Sequence, residues 1–125
     1  MSYTKSTEDY LEAMYVLEKT NGVIRVKDIA DFLSVKLPSV TEIIKKLQME
    51  GLLEHTSYGD IKLTEKGAAV GAAVWERHKA LYTFLKDYLK VDDKDAFKEA
   101  CLIEHVVSED TIKKLNEFLK KINRP

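Results

Sequence analysis

A basic surplus is missing from this 125-residue sequence. Twenty Lys and Arg stand against 21 Asp and Glu, a formal net charge of -1. No global electrostatic footprint of nucleic-acid binding is present, so any polyanion must be held by local cations. Cysteine is nearly absent. Cys101 alone excludes an internal disulfide and leaves the roles of small buried hydrophobe, ligand or nucleophile. No run approaches the roughly 18 apolar residues of a membrane span. The start, Met-Ser-Tyr-Thr-Lys, lacks an apolar stretch of signal-peptide type. The expected location is therefore the cytoplasm, with no membrane partner. Repeats and low-complexity segments are absent. So are H-E-x-x-H, a Gly-rich phosphate loop and a nucleophile triad, which argues against an enzyme and a small organic substrate.

The composition that remains, 45% hydrophobic and 33% charged, supports a modest core. A chain of this size gains stability by burying further surface in a dimer. Five Gly and two Pro punctuate it. Ser6 and Asp9 have capping-box spacing, which predicts a first helix from Ser6 to Asn21-Gly22. A second helix is expected over Val26–Leu33. A third opens near Pro38 and carries an apolar stripe of Val40, Ile43, Ile44 and Leu47. Gly51 stops it. Two short strands then flank a turn at Tyr58-Gly59-Asp60. A long helix is expected from Thr64 to Leu89, broken at Val91-Asp92-Asp93. A fifth covers Lys94–Val107, and a sixth is capped by Ser108, with acids in its first turn and Lys120-Lys121 in its last.

Three helices, a hairpin and three more helices give a mainly α chain. It reads as a winged helix-turn-helix DNA-binding domain (residues 1–66) followed by an all-helical metal-binding and dimerisation domain (residues 67–125). The second helix of such a pair enters the major groove. Lys36, Leu37, Pro38, Ser39, Thr41 and Glu42 would then face base edges and phosphates. Lys45, Lys46, Arg25, Lys27 and Lys62 suit phosphates, and Tyr58 at the hairpin tip suits the backbone or minor groove. The competing reading is a generic three-helix core whose lysines only solvate it, since Glu42, Glu50, Glu54 and Asp60 offset them.

Residues 100–107 are apolar nearly all round a helix and should be buried, yet include a carboxylate and an imidazole. At about 100° per residue, Cys101, Glu104 and His105 share one arc. A buried charge needs a partner or a metal. Thiolate, imidazole and carboxylate together suit a transition ion. The alternative is a buried cysteine beside a mutually satisfied Glu/His pair. Asp9 and Glu12 share a face of the first helix, and His78 lies midway along the long one. Each also has an ordinary structural role open to it. His55, on the hairpin, reads as structural or phosphate-facing.

Ordered motifs then converge. They are Thr7-Glu8-Asp9-Tyr10-Leu11-Glu12, Val26-Lys27-Asp28-Ile29-Ala30, Pro38-Ser39-Val40-Thr41, Leu63-Thr64-Glu65-Lys66-Gly67, Arg77-His78 and Cys101-Leu102-Ile103-Glu104-His105. With them the chain resembles the diphtheria toxin repressor family of iron- and manganese-dependent regulators, most closely the short manganese transport regulator branch. The resemblance implies ligand roles for Asp9, Glu12, His78, Glu104 and His105. Cys101 stands where the manganese branch has glutamate and the iron branch cysteine. Asp9 stands where the iron branch has methionine. Tyr82 and Phe97 replace ancillary ligands of the iron branch, so a second site of that type is not expected, whereas a binuclear site through Glu12 and His78 stays open. With the sequence ending at Pro125, no SH3-like C-terminal domain is expected.

The resemblance implies a repressor that binds double-stranded operator DNA as a homodimer when loaded with Fe(II) or Mn(II). Co(II), Ni(II) or Zn(II) would occupy the site in vitro. An ion held by both halves would set the spacing of the two recognition helices. The alternatives are a metal-independent winged-helix regulator and, behind it, a hydrolase using Cys101 and His105.

Overall fold

The computed structural model describes residues 3–56 and 60–123. Two compact units make it up, Met1–Ala73 and Val74–Pro125. The division falls inside the fourth helix, beyond the 66/67 boundary expected from the sequence.

In the first unit, α1 (Lys5–Asn21) begins one residue before the position expected of it. Thr4 has the extended backbone that an N-cap needs, and its hydroxyl accepts the Thr7 N–H at 3.1 Å. Ser6 therefore lies within the first turn, and the Ser6/Asp9 capping box is not formed. Asp9 instead accepts a bond from Lys5 Nζ at 2.8 Å, one turn back. Gly22, at φ 77°, closes the helix as expected by donating to the Glu18 carbonyl. α2 (Val26–Leu33) ends on Ser34 in the left-handed region. α3 (Leu37–Met49) carries Pro38 in its first turn, where the missing N–H costs nothing.

The wing is β1 (Leu53–His55) paired antiparallel with β2 (Ile61–Leu63), Leu53 facing Leu63 and His55 facing Ile61. A bridge from Ile24 to Ile61 ties the segment before α2 to this hairpin. The expected turn at Tyr58-Gly59 lies outside the described residues. Leu11 and Met14 of α1, Ile29 of α2, Val40, Ile44 and Leu47 of α3, and Leu52, Leu53 and Ile61 of the wing form one buried core. Burying each such side chain contributes about 1.5–3 kcal/mol.

α4 (Glu65–Thr83) continues into a π-helical turn over Phe84–Tyr88. Lys90 adopts φ 61° and the Val91 N–H reaches the Leu85 carbonyl at 2.8 Å, so the helical run ends just before the expected break. Gly67 and Gly71, one turn apart on α4, lie against backbone. A Cβ at Gly67 would sit 1.9 Å from the Leu52 carbonyl oxygen, and one at Gly71 2.5 Å from that of Leu11.

In the second unit α5 spans Asp93–Ile103 and α6 spans Glu109–Ile122. Ser108 caps α6 by accepting the Thr111 N–H, and its charges follow the helix dipole as expected. α5 stops four residues short of Val107. The Arg77 guanidinium donates from Nε to the Glu104 carbonyl at 2.8 Å, satisfying a group that a longer helix would have bonded internally. This overturns the expectation of a uniformly buried helical stretch over 100–107. Leu102 and Val106 are exposed, Val106 by 83%. Leu81, Ala100 and Ile112 form a small buried core, with Leu85, Ile103 and Leu115 packed against it. No helix among the described residues is long and apolar enough to cross a membrane.

Candidate functional site

His78, Cys101 and Glu104 come together within the second unit. α4 supplies the imidazole at 2% exposure and the C-terminal turn of α5 supplies the thiol and the carboxylate, the latter fully buried. His78 Nδ1 lies 2.8 Å from Glu104 Oε1 and 3.6 Å from Cys101 Sγ. One ligand atom from each residue lies within 4.8 Å of the other two. His105, in the turn after α5, brings Nε2 to 3.6 Å from the second Glu104 oxygen. Of the trio Cys101, Glu104 and His105 expected from spacing, the structure groups the first two with His78. The geometry differs from a single helical face, because Glu104 caps the helix and His105 follows it.

Enclosing a carboxylate completely costs several kcal/mol unless it is paired and hydrogen-bonded. Here the imidazole supplies that partner. Donors on one ion, with bonds of about 2.0–2.3 Å, lie within roughly 4.6 Å of one another. The 2.8 and 3.6 Å separations satisfy this. A soft thiolate, a borderline imidazole and a hard carboxylate also form a set that a divalent transition ion accepts. The residues present therefore fit a metal.

Rings hold the imidazole in place. Trp75 and Tyr82 stack on either side of His78 at 5.3 and 6.0 Å, and Phe97 meets it edge-on at 4.6 Å. Trp75, His78 and Tyr82 fall at helical spacing on α4, a signal the sequence carries. Nothing local marks Phe97, which arrives from α5. Arg77, marked in the sequence only by its place beside His78, donates to the Glu104 carbonyl and orients the carboxylate-bearing residue. Tyr82 also donates to Asp93, which Lys86 approaches at 3.2 Å. The Tyr82 bond, and then Lys86, hold the Asp93 carboxyl below its usual range. Bonds to Tyr82 and Asp93 push Lys86 up.

Asp9 and Glu12 lie on α1 in the first unit, Glu12 buried and Asp9 partly exposed. On α3, Val40, Ile44 and Leu47 are buried while Lys36, Leu37, Pro38, Ser39, Thr41, Glu42, Lys45 and Lys46 are exposed. Arg25, Lys27 and Lys62 are exposed too. Arg25 and Lys62 line a common cleft with Glu18 and Asp60. Tyr58 lies outside the described residues, and His55 stands on β1, half-buried.

Comparison with known proteins agrees with this arrangement. Residues 2–61 match the iron-dependent repressor N-terminal DNA-binding domain, and residues 64–124 the iron-dependent repressor metal-binding and dimerisation domain. An uncharacterised HTH-type transcriptional regulator of Methanocaldococcus jannaschii is 35% identical, over 94% of this chain and 95% of that protein. The HTH-type transcriptional regulator MntR of Shouchella clausii is 38% identical, over 94% of this chain and 81% of that one. The solved structure of the manganese regulator SloR superposes with a TM-score of 0.79 at 32% identity, covering 96% of this chain and 55% of its own. The chain thus spans about half the length of that solved relative. In sequence and in fold, the chain belongs to the diphtheria toxin repressor family of metal-dependent transcriptional regulators, on the manganese transport regulator branch.

Proposed function

We propose that this chain is a transcriptional repressor that binds operator DNA as a homodimer when loaded with Fe(II) or Mn(II). The observation that carries the reading is the His78–Cys101–Glu104 cluster, with His78 and Glu104 buried and Cys101 half-buried, in a chain whose other half exposes the polar face of α3. His78, Cys101, Glu104 and His105 would hold the ion, with Asp9 and Glu12 as the ligands α1 contributes. When bound, the ion supplies two positive charges and directional bonds to these donors.

The charge problem posed by a net charge of -1 then has a local answer. Lys36, Lys45 and Lys46 surround the exposed face of α3, and Lys27 stands on α2. These cations make the phosphate contacts, whose release of counterions drives binding. Homodimerisation is supported by the second unit's small core. Around it Leu102, Val106, Phe97 and Phe118 remain about half exposed or more. Exposed apolar side chains on so small a unit are stabilised by covering them with a second protein surface. Thiolate at Cys101 favours Fe(II), while Asp9 and Glu12 favour Mn(II), and SloR is a manganese regulator.

The test is fluorescence anisotropy of labelled DNA against Mn(II) and anaerobic Fe(II), with wild type and His105→Ala. A rise in affinity of about ten-fold or more, roughly 1.4 kcal/mol of coupling, that the variant loses supports the proposal. The ion more effective at its cellular concentration names the effector. Equal DNA affinity with metal and with chelator would make the cluster structural and the regulator metal-independent.

A further inference from the structure

Glu104 is held at its N–H, its carbonyl and its carboxylate, and adjacent residues of α4 supply two of these contacts. The N–H donates to the Ala100 carbonyl at 3.0 Å, within the pattern of α5 itself. The carboxylate meets His78 Nδ1 at 2.8 Å. The carbonyl accepts from Arg77 Nε, also at 2.8 Å. Consecutive residues of a helix project about 100° apart, yet both reach this one residue, 26 and 27 positions further along the chain. Fixed at all three groups, Glu104 has little freedom to turn, and the segment it opens inherits that constraint. Val106 and Val107 donate to the Ile103 carbonyl at 3.0 and 3.2 Å. His105, just before them, brings Nε2 to 3.6 Å from the second Glu104 oxygen.

An arginine is an unexpected choice at this place. Its guanidinium stays charged at every working pH, and a fixed positive charge beside metal donors opposes a divalent ion. Capping the end of α5 needs only an N–H or a water, not a charge. We propose that Arg77 is a positioning residue of the metal site. Its bond to the Glu104 carbonyl sets the end of α5 before any ion arrives. The Glu104 carboxylate and the His105 imidazole are then ordered on folding, and metal binding need not supply that order. Outer-shell partners that orient ligands contribute about ten- to hundred-fold to metal affinity. Arg77 is only half-buried, so solvent screens its charge, and the gain in order outweighs the repulsion.

The proposal rests on the metal reading above, and its test separates the two. Arg77→Gln places an amide N–H where Nε stands and removes the charge. Arg77→Met fills the same length with no donor. Mn(II) binding to the full chain is followed by the fluorescence of Trp75, the single tryptophan, which stacks on His78 at 5.3 Å. Circular dichroism in chelator checks that each variant folds. We expect Arg77→Met to bind Mn(II) about ten-fold more weakly, and Arg77→Gln to bind as tightly as wild type or more so. A guanidinium acting through charge alone predicts tighter binding by both variants. One that only caps α5 predicts a folded Arg77→Met with wild-type affinity. Either result overturns the proposal, as does an Arg77→Gln as weak as Arg77→Met. Should Arg77→Met not fold, wild type carries the test. Hydrogen–deuterium exchange at Val106 and Val107 should already be slowed in chelator and change little with Mn(II). Protection that appears only with Mn(II) would overturn positioning in advance of the ion. A wild type that binds no Mn(II), or a Glu104→Gln that binds it as wild type does, would instead bring down the metal reading and this proposal with it.

Discussion

Replacing Gly67 by alanine sets two effects of opposite sign against each other. In a helix interior the exchange normally stabilises by about 1 kcal/mol, because glycine loses more backbone freedom on folding. Here the new Cβ would lie 1.9 Å from the Leu52 carbonyl oxygen and 2.9 Å from its carbon, where real Cβ contacts essentially never fall below 3.0 Å. The obstacle is buried backbone, so no rotamer change relieves it. α4 and the segment leading into β1 must part by about 1 Å. The Leu52 carbonyl also accepts the Thr64 N–H at 3.2 Å. That bond, worth about 0.5–1.5 kcal/mol, is strained by the separation. Overpacking of this kind costs about 1–3 kcal/mol. After the helix-propensity gain, the net loss is about 1–3 kcal/mol. Urea unfolding followed by circular dichroism, in chelator so that metal does not contribute, measures it with an unchanged slope. Ala69→Gly, at an exposed position of the same helix, calibrates propensity alone and should lose about 1 kcal/mol. A Gly67→Ala protein as stable as wild type, or more stable, would refute the close approach and the reasoning built on it.

Metal binding and acid titration supply two more checks. At an ion concentration about 100 times its Kd, Mn(II) or Fe(II) should stabilise the folded chain by about 2.7 kcal/mol. His78→Ala, which removes a proposed ligand and the partner of the buried Glu104, should abolish that gain in thermal unfolding; a variant that keeps it would remove His78 from the proposed ligand set. Asp93 is held below its usual carboxyl range by Tyr82 and Lys86. Its depressed folded value means that its stabilisation is present above the unfolded carboxyl range and lost as the pH falls through the folded one. Asp93→Asn should therefore destabilise the second unit slightly at neutral pH and not at all in strong acid. A difference that persists unchanged on acidification would show that the carboxylate charge is not what matters.

Much of this architecture is legible in the sequence because it is set by local chemistry. Val40, Ile44 and Leu47 recur at helical spacing, and all three are buried on α3. Gly22 supplies the positive φ that ends α1, and Ser108 supplies the oxygen that caps α6. Cys101 and Glu104 share a helical turn, so their proximity follows from the period. His78 is different. Its proposed ligand role rests on resemblance, since 23 residues separate it from Cys101 and no local signal joins them.

What only the tertiary structure decided depends on contacts between distant segments. α5 ends at Ile103, where Arg77, on another helix, satisfies the Glu104 carbonyl. The ring stack around His78 and the backbone approaches at Gly67 and Gly71 depend on helix packing that no periodicity encodes. Periodicity and caps act within a turn or two of the chain, whereas a carbonyl's partner or a glycine's necessity is set by whatever segment folding brings alongside.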